Sequence, residues 1–233
     1  MDRPLICPDW EVQGLLAGRI KLLWRPVQHC KEFPDSNQWP VWYPAKDGAP
    51  VFLDRDGKGA DKLALRYAHG KRSPFGVAGD TAWIRETWRV CAIERTRCAD
   101  GERYMAGVQF KSGGAMFVTI SPDQKAQSVV VRPGRDKWRS SSHMPRWASR
   151  LSVLVESVRP LRVQSATEED ARLSGLDQYT LRAADESPDA DIPRRGLAKL
   201  WDARIARRPE HAWERNPWAW CANVKVQEVS CGK

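Results

Sequence analysis

Few residues of this chain have the types and spacing for chemistry, and most of them lie in one stretch. Residues 136–150 read D-K-W-R-S-S-S-H-M-P-R-W-A-S-R, which sets Lys137, Arg139, Arg146 and Arg150 among Trp138, His143 and Trp147, with Ser141 in the middle of three serines. A flipped or unpaired nucleobase needs a flat face to stack on and donors for its flanking phosphates, and guanidinium groups beside indoles supply both. The same composition also suits core tryptophans with solvated arginines, so this stretch alone leaves two readings open. Glu86, in T-A-W-I-R-E-T-W over 81–88, is a candidate acid or base. Lys21, in R-I-K-L-L-W-R-P-V over 19–27, is a candidate nucleophile or electrostatic helper, and His143 a candidate general base. Strand alternation over 81–88 puts Trp83, Arg85 and Thr87 on one face and Ile84, Glu86 and Trp88 on the other. A carboxylate sharing a face with Ile and Trp requires a partner, either a basic side chain or a ligand N–H.

Other chemistries lack their signatures. There is no G-x-x-x-x-G-K-S/T phosphate loop, strand-coupled G-x-G-x-x-G, H-E-x-x-H or G-x-S-x-G elbow in the sequence. The histidines are His29, His69, His143 and His211, and no local motif equips any of them for a Ser-His-Asp site. Cysteines at 7, 30, 91, 98, 221 and 231 include no C-x-x-C pair, and His29-Cys30 is the one His/Cys adjacency. Neither a metal site nor any cofactor is expected.

The chain has 233 residues, 42% hydrophobic and 29% charged, which is the composition of a globular protein able to bury a core. A formal charge of +9 points to a polyanionic partner. That charge is unevenly spread. Residues 132–162 hold eight Lys or Arg against two acids, whereas residues 164–191 hold eight acids against two arginines. One surface is thus expected to face an anion while another turns away. The opening M-D-R-P-L-I-C-P-D-W has no apolar signal core and no apolar run approaches a membrane span, so a cytoplasmic protein with free thiols and no membrane partner is expected.

The elements that must position these residues read as follows. Pro8-Asp9 opens a short helix carrying Val12, Leu15 and Leu16, ended by a left-handed Gly18. A strand over 19–27 follows, then an irregular excursion over 28–77 with Trp39, Trp42 and Tyr43 and a short helix at about 62–68. A strand over 81–88 is predicted, and short strands over 104–131 include runs at 116–120 and 128–131 with a Gly113-Gly114 turn. Cys91 and Cys98 are candidates to meet, as thiols, across a hairpin. After a strand over 151–158, Thr167-Glu168-Glu169-Asp170 is a capping signature for a helix ended by Gly175. Residues 177–193 read as a polar loop, 196–208 as an amphipathic helix with a basic edge, and 213–229 as a turn into a last strand bearing Trp218 and Trp220. Short strands with few helices favour a small β-barrel with peripheral helices.

Taken in order, L-L-A-G-R with R-P-V beyond it, G-D-T-A-W-I-R-E-T-W, W-R-S-S-S-H-M-P-R-W-A-S-R, A-T-E-E-D-A, L-W-D and N-P-W-A-W resemble a family of phage and prophage proteins with the ASCH domain. The H-M-P-R-W-A-S-R block is the specific part. This resemblance implies an α+β fold: a single PUA-like (ASCH) twisted β-barrel over 1–233 with peripheral helices, a cleft for RNA or an unusual nucleobase, and insertions at about 33–70, 94–127 and 177–193. One enzymatic branch of the wider group uses a Lys and a Thr after L-L-A-G-R, with a downstream Glu, to cleave an acyl amide from modified cytidine. Glu86 matches that Glu. Ile20 stands at the Lys position, with Lys21 displaced by one residue, and Leu23 at the later Thr position. On a strand, such a displacement turns a side chain to the opposite face.

The expected function is therefore a nucleic-acid or modified-nucleobase binding module of phage or prophage type. Its contact set is Arg85, Trp88, Arg139, Ser141, Arg146, Trp147, Arg150 and Trp218, with Glu86 accepting from an exocyclic amine. The partner is RNA or DNA, including a modified base. One alternative is a hydrolase acting on a nucleobase amide or RNA through Glu86, Lys21 and His143. The other is an adaptor or inhibitor whose 33–70 insertion contacts a host or phage protein.

Overall fold

In the computed structural model, which describes residues 2–27, 41–44, 50–53, 73–98, 101–121, 137–176, 192–206 and 208–228, the chain is a mixed α+β fold dominated by strands. Its described strands form open sheets of five, two and three strands, none closed into a barrel. Two compact units share the chain, Met1–Ala17 with Thr81–Val153 and Val226–Lys233 in the first, Gly18–Asp80 with Leu154–Lys225 in the second.

In the first unit β1 (Asp2–Ile6) runs parallel to β5 (Thr81–Arg85), from Asp2 opposite Thr81 to Ile6 opposite Arg85. Between them α1 (Asp9–Leu16) starts with Asp9 and Glu11 in its first turn, where carboxylates complement the helix dipole, and buries Val12 and Leu15. The chain leaves it through Gly18 at φ 67, the expected left-handed stop. The predicted single strand over 81–88 is broken at Glu86 and Thr87. A new strand, β6 (Trp88–Cys98), begins beyond the break and forms an antiparallel sheet with β7 (Gly101–Phe110) and β8 (Ala115–Ile120). The β7–β8 turn uses Gly113 and Gly114 at φ 108 and 83. One face of this sheet, with Trp88, Val90, Ala106, Val108 and Phe110, packs with Met144 and Ala148 into a core. Cys91 and Cys98 lie on one strand, so they do not face each other across a hairpin; Cys91 is an exposed thiol.

In the second unit β2 (Leu22–Pro26) is antiparallel to β10 (Trp218–Glu228), with Leu22 opposite Asn223 and Pro26 opposite Ala219. The long β9 (Leu151–Arg162) and β10 each continue from one unit into the other. A two-stranded sheet of β3 (Val41–Pro44) and β4 (Pro50–Leu53) lies in the stretch expected to be irregular. The helix expected at 62–68, the strand at 128–131 and the loop over 177–191 lie outside the described residues. The capping box at Thr167 forms as read: Thr167 accepts from the Asp170 N–H, and Asp170 from the Thr167 N–H, ahead of α2 (Glu168–Leu173). The last helix, α3 (Ile192–Leu200), starts four residues before the expected Gly196 and passes into a π-helical turn, Trp201–Ile205. Leu197, Trp201 and Ile205 are buried at the four-residue spacing of one helix face. Trp201 meets Trp24 edge to face at 6.1 Å, and the Trp24 indole N–H donates to Ser174 Oγ at 2.7 Å.

Two measurements check this packing. Gly175 has φ 87, and a Cβ there would fall 2.8 Å from Ile20 Cγ1. Gly175→Ala is expected to lose about 1–3 kcal/mol in chemical denaturation, and wild-type stability would contradict this placement. Burial pushes the Cys221 thiol up from its ordinary 9.0 to about 12, with Arg159 pulling down and Asp170 adding to the rise. The unfolded thiol loses its proton first, so between pH 9.0 and about 12 the unfolded state binds fewer protons and stability falls as pH rises. A denaturation series across that window should show the fall and should lose most of it in Cys221→Ala.

Candidate functional site

Residues 137–150 lie along 84–88 inside the first unit. Arg139 and Trp88 exchange backbone hydrogen bonds of 2.8 and 3.2 Å, the isolated bridge that begins the contact. Ser140 Oγ accepts from the Ser142 N–H and starts a 3-10 turn, Ser141–His143. Pro145, with φ −77, precedes a second, Arg146–Ala148. Between the turns Met144 is fully buried; its carbonyl accepts from Arg85 Nε at 3.0 Å and its sulfur from the Glu86 N–H at 3.3 Å. Ser149 Oγ donates to the Ile84 carbonyl at 2.8 Å. The adjacency of these two distant stretches is thus built from backbone and buried side chains.

Glu86 is 1% exposed, and its partner is a basic side chain. Arg150 Nε donates to Glu86 Oε1 at 2.9 Å and Arg150 Nη2 to Oε2 at 3.0 Å, the forked geometry that suits a guanidinium to a carboxylate. Ser112 Oγ also donates to Glu86 Oε2, and Arg150 Nη2 donates to Ser112 Oγ at 2.8 Å. Arg150 Nη1 donates to the Gly113 carbonyl at 2.8 Å, and its guanidinium lies 4.0 Å from the centre of the Phe110 ring. From α1, Gln13 Nε2 donates to the Ser112 carbonyl at 3.0 Å. The carboxylate expected to accept from a ligand amine is therefore already engaged on both oxygens, and Arg150, expected at a phosphate, faces inward to it. Sequence reasoning missed Ser112. Its signal was the Gly113-Gly114 turn, whose nearness to Glu86 follows only from the pairing of β6 with β7.

The remaining expected residues divide. Trp88 is 1% exposed within the core, with the Arg139 guanidinium 5.3 Å from its ring centre and Trp147 edge-on at 5.9 Å; it offers no open stacking face. Arg85 and Arg146 both lie against Trp83, at 5.2 and 5.6 Å, and Arg146 Nε pairs with Asp2 at 3.2 Å in an exposed ion pair. Arg146 and Glu86 therefore do not share a partner. Ser141 is partly exposed in the first 3-10 turn, and exposed His143 has its Nδ1 3.2 Å from Ser142 Oγ. Lys21 and Trp218 belong to the second unit. Lys21 is exposed while Ile20 beside it is buried, and Trp218 carries the Arg162 guanidinium 4.7 Å from its ring centre. Among the described residues no three His, Cys, Asp or Glu side chains gather as a metal site would need, and no helix is long and apolar enough to cross a membrane.

Removing Arg150 leaves the buried Glu86 carboxylate with Ser112 but no countercharge, and removing Glu86 leaves the partly buried Arg150 guanidinium with only the Ser112 hydroxyl and the Gly113 carbonyl. Glu86→Ala and Arg150→Ala should each cost about 3–5 kcal/mol in urea denaturation, and Glu86→Leu with Arg150→Met together should cost much less than the two losses summed. Additive losses would break the assignment.

Comparison of the chain with family models, with curated proteins and with solved structures finds no match.

Proposed function

We propose that the chain is a nucleic-acid or modified-nucleobase binding module of the ASCH type, with a PUA-like barrel as its frame, and that residues 137–150 are its contact segment. One observation carries this reading: guanidiniums laid on indoles along a segment that a buried ion pair locks from beneath. Arg146 and Arg85 lie against Trp83, Arg139 against Trp88 and Arg89 against Trp138. A guanidinium on a ring has its edge N–H groups directed sideways, where phosphate oxygens can reach them, and little side-chain entropy left to lose. The formal charge of +9, with the net basic run over 132–162, attracts a polyanion to the same segment. The ligand in this reading is RNA or DNA with unpaired or modified bases. Burial of Glu86 at 1% exposure behind Arg150 and Ser112 favours binding over hydrolysis, because a general base must come within hydrogen-bond reach of the proton it takes.

Fluorescence anisotropy with a labelled single-stranded oligonucleotide tests this. The dissociation constant should rise steeply with salt, and Arg146→Ala should weaken binding and lower the logarithmic salt slope by about 0.7, one phosphate contact's worth. Salt-insensitive binding would overturn the reading. Turnover of an acylated cytidine that Glu86→Gln abolishes would replace it with the hydrolase.

A further inference from the structure

The β6-β7-β8 sheet has a second face, turned away from Met144 and Ala148, which Trp138 at the start of the 137–150 segment borders at one edge. On it Arg89 of β6 stands opposite Gln109 of β7 and donates to Gln109 Oε1 at 2.8 Å. The Arg89 guanidinium lies 4.7 Å from the centre of the Trp138 ring, and Trp138 is 40% exposed. Gly107 is the next residue of β7 on that face, about 7 Å along the strand from Gln109. A side chain at Gly107 would meet Phe117 Cε1 at 3.2 Å and Cys91 Sγ at 3.1 Å, so the Phe117 ring lies close against the sheet where Gly107 leaves room. Phe117 is 55% exposed. Trp138, the Arg89–Gln109 pair and Phe117 therefore share one open face: a ring, a cation beside an amide, and a second ring.

We infer that this face stacks unpaired bases of a nucleic-acid strand, one on Trp138 and another on Phe117, with Arg89 and Gln109 between them for phosphate and base edge. The inference rests on the nucleic-acid reading above and gives its unpaired bases a place to bind, since exposed rings can stack only on bases whose faces are not already covered by the neighbouring bases of a duplex stack. Charge on the face suits a polyanion, with Arg89, Arg103 and Lys111 against Glu94. An apolar protein partner suits it less. The two rings are separated by a guanidinium and an amide rather than joined into one apolar patch. Gln109, Gly107 and Phe117 fall within 94–127, which the family resemblance leaves unmatched, whereas Trp138 lies in a block that carries the resemblance.

Phe117→Ala and Trp138→Ala remove exposed rings and test the face in the whole 233-residue chain. With a single-stranded oligonucleotide of about ten nucleotides, each is expected to weaken binding about fivefold to a hundredfold with the salt slope unchanged, while Phe117→Tyr binds as wild type does. A duplex of the same sequence should bind more weakly and ignore Phe117→Ala. If both alanine variants bind the single strand as tightly as the wild type, and wild-type binding still falls with salt and with Arg146→Ala, this inference fails and the broader reading stands. If the wild type binds neither single strand nor duplex, both fall together.

Discussion

The contact on which the first unit depends is the one between Arg150 and Glu86. A carboxylate that is 1% exposed needs hydrogen-bond partners for its buried oxygens, and Arg150 supplies a forked pair of hydrogen bonds while Ser112 supplies another. The same guanidinium reaches the Gly113 carbonyl and lies on Phe110, so one side chain joins three passages of the chain: the break between β5 and β6, the β7–β8 turn, and the end of the 137–150 segment. Its position also dictates a neighbour. A Cβ on Gly114 would come within 2.9 Å of Arg150 Nη1, and φ 83 at that residue already excludes most side chains. An ion pair of this kind recovers little net energy over an apolar pair of equal volume, because both ions leave water. What it supplies is uniqueness, since no shift of the segment keeps all of these donors and acceptors paired.

That constraint explains how a segment with only two 3-10 turns holds a shape. Three-residue turns have too few internal hydrogen bonds to persist alone. Here Met144 is buried between them, Arg139 bridges Trp88, and Ser149 caps the Ile84 carbonyl, so the segment borrows its rigidity from the sheet beside it. The arginines then have little freedom. Each guanidinium on an indole is worth on the order of 0.5–2 kcal/mol, less in water than when desolvated, but the larger effect is that a side chain already ordered loses less on meeting a phosphate.

What the sequence disclosed was local. The left-handed Gly18, the Thr167–Asp170 box and the Gly113-Gly114 turn depend on interactions within a few residues, and each was readable from residue types. A partner for Glu86 could also be required from alternation, since a carboxylate between Ile84 and Trp88 has no other way to be buried. Which basic residue it would be was beyond reach: Arg139, Arg146 and Arg150 all offered a guanidinium, and the choice follows from where the β7–β8 turn falls in space. Trp88 illustrates the opposite failure. Its type suggested a stacking face, yet its register on β6 sends it into the core, while Trp138, one residue from Arg139 on a bridged segment, is turned outward. The break at Glu86 and the π-helical end of α3 are likewise set by tertiary packing, and no propensity announces them.

The two faces of the β6-β7-β8 sheet show why aromatic count alone could not locate function. Trp88 and Phe110 on the inner face and Phe117 on the outer one are interchangeable by composition. Period-two alternation separates them once the register is known, and the register contains a bulge between Val90 and Ala92 that shifts every later residue of β6 by one. Without that extra residue Ile93 would share the outer face with Arg89 and Cys91, and Ala92 would point inward. With it, Ala92 lies beside Gly107 on the outer face and Ile93 packs against the core. Two small residues then lie side by side beneath Phe117, and the ring can settle onto the strands. The bulge is thus what makes an open aromatic face possible on a sheet whose other side must remain a continuous core.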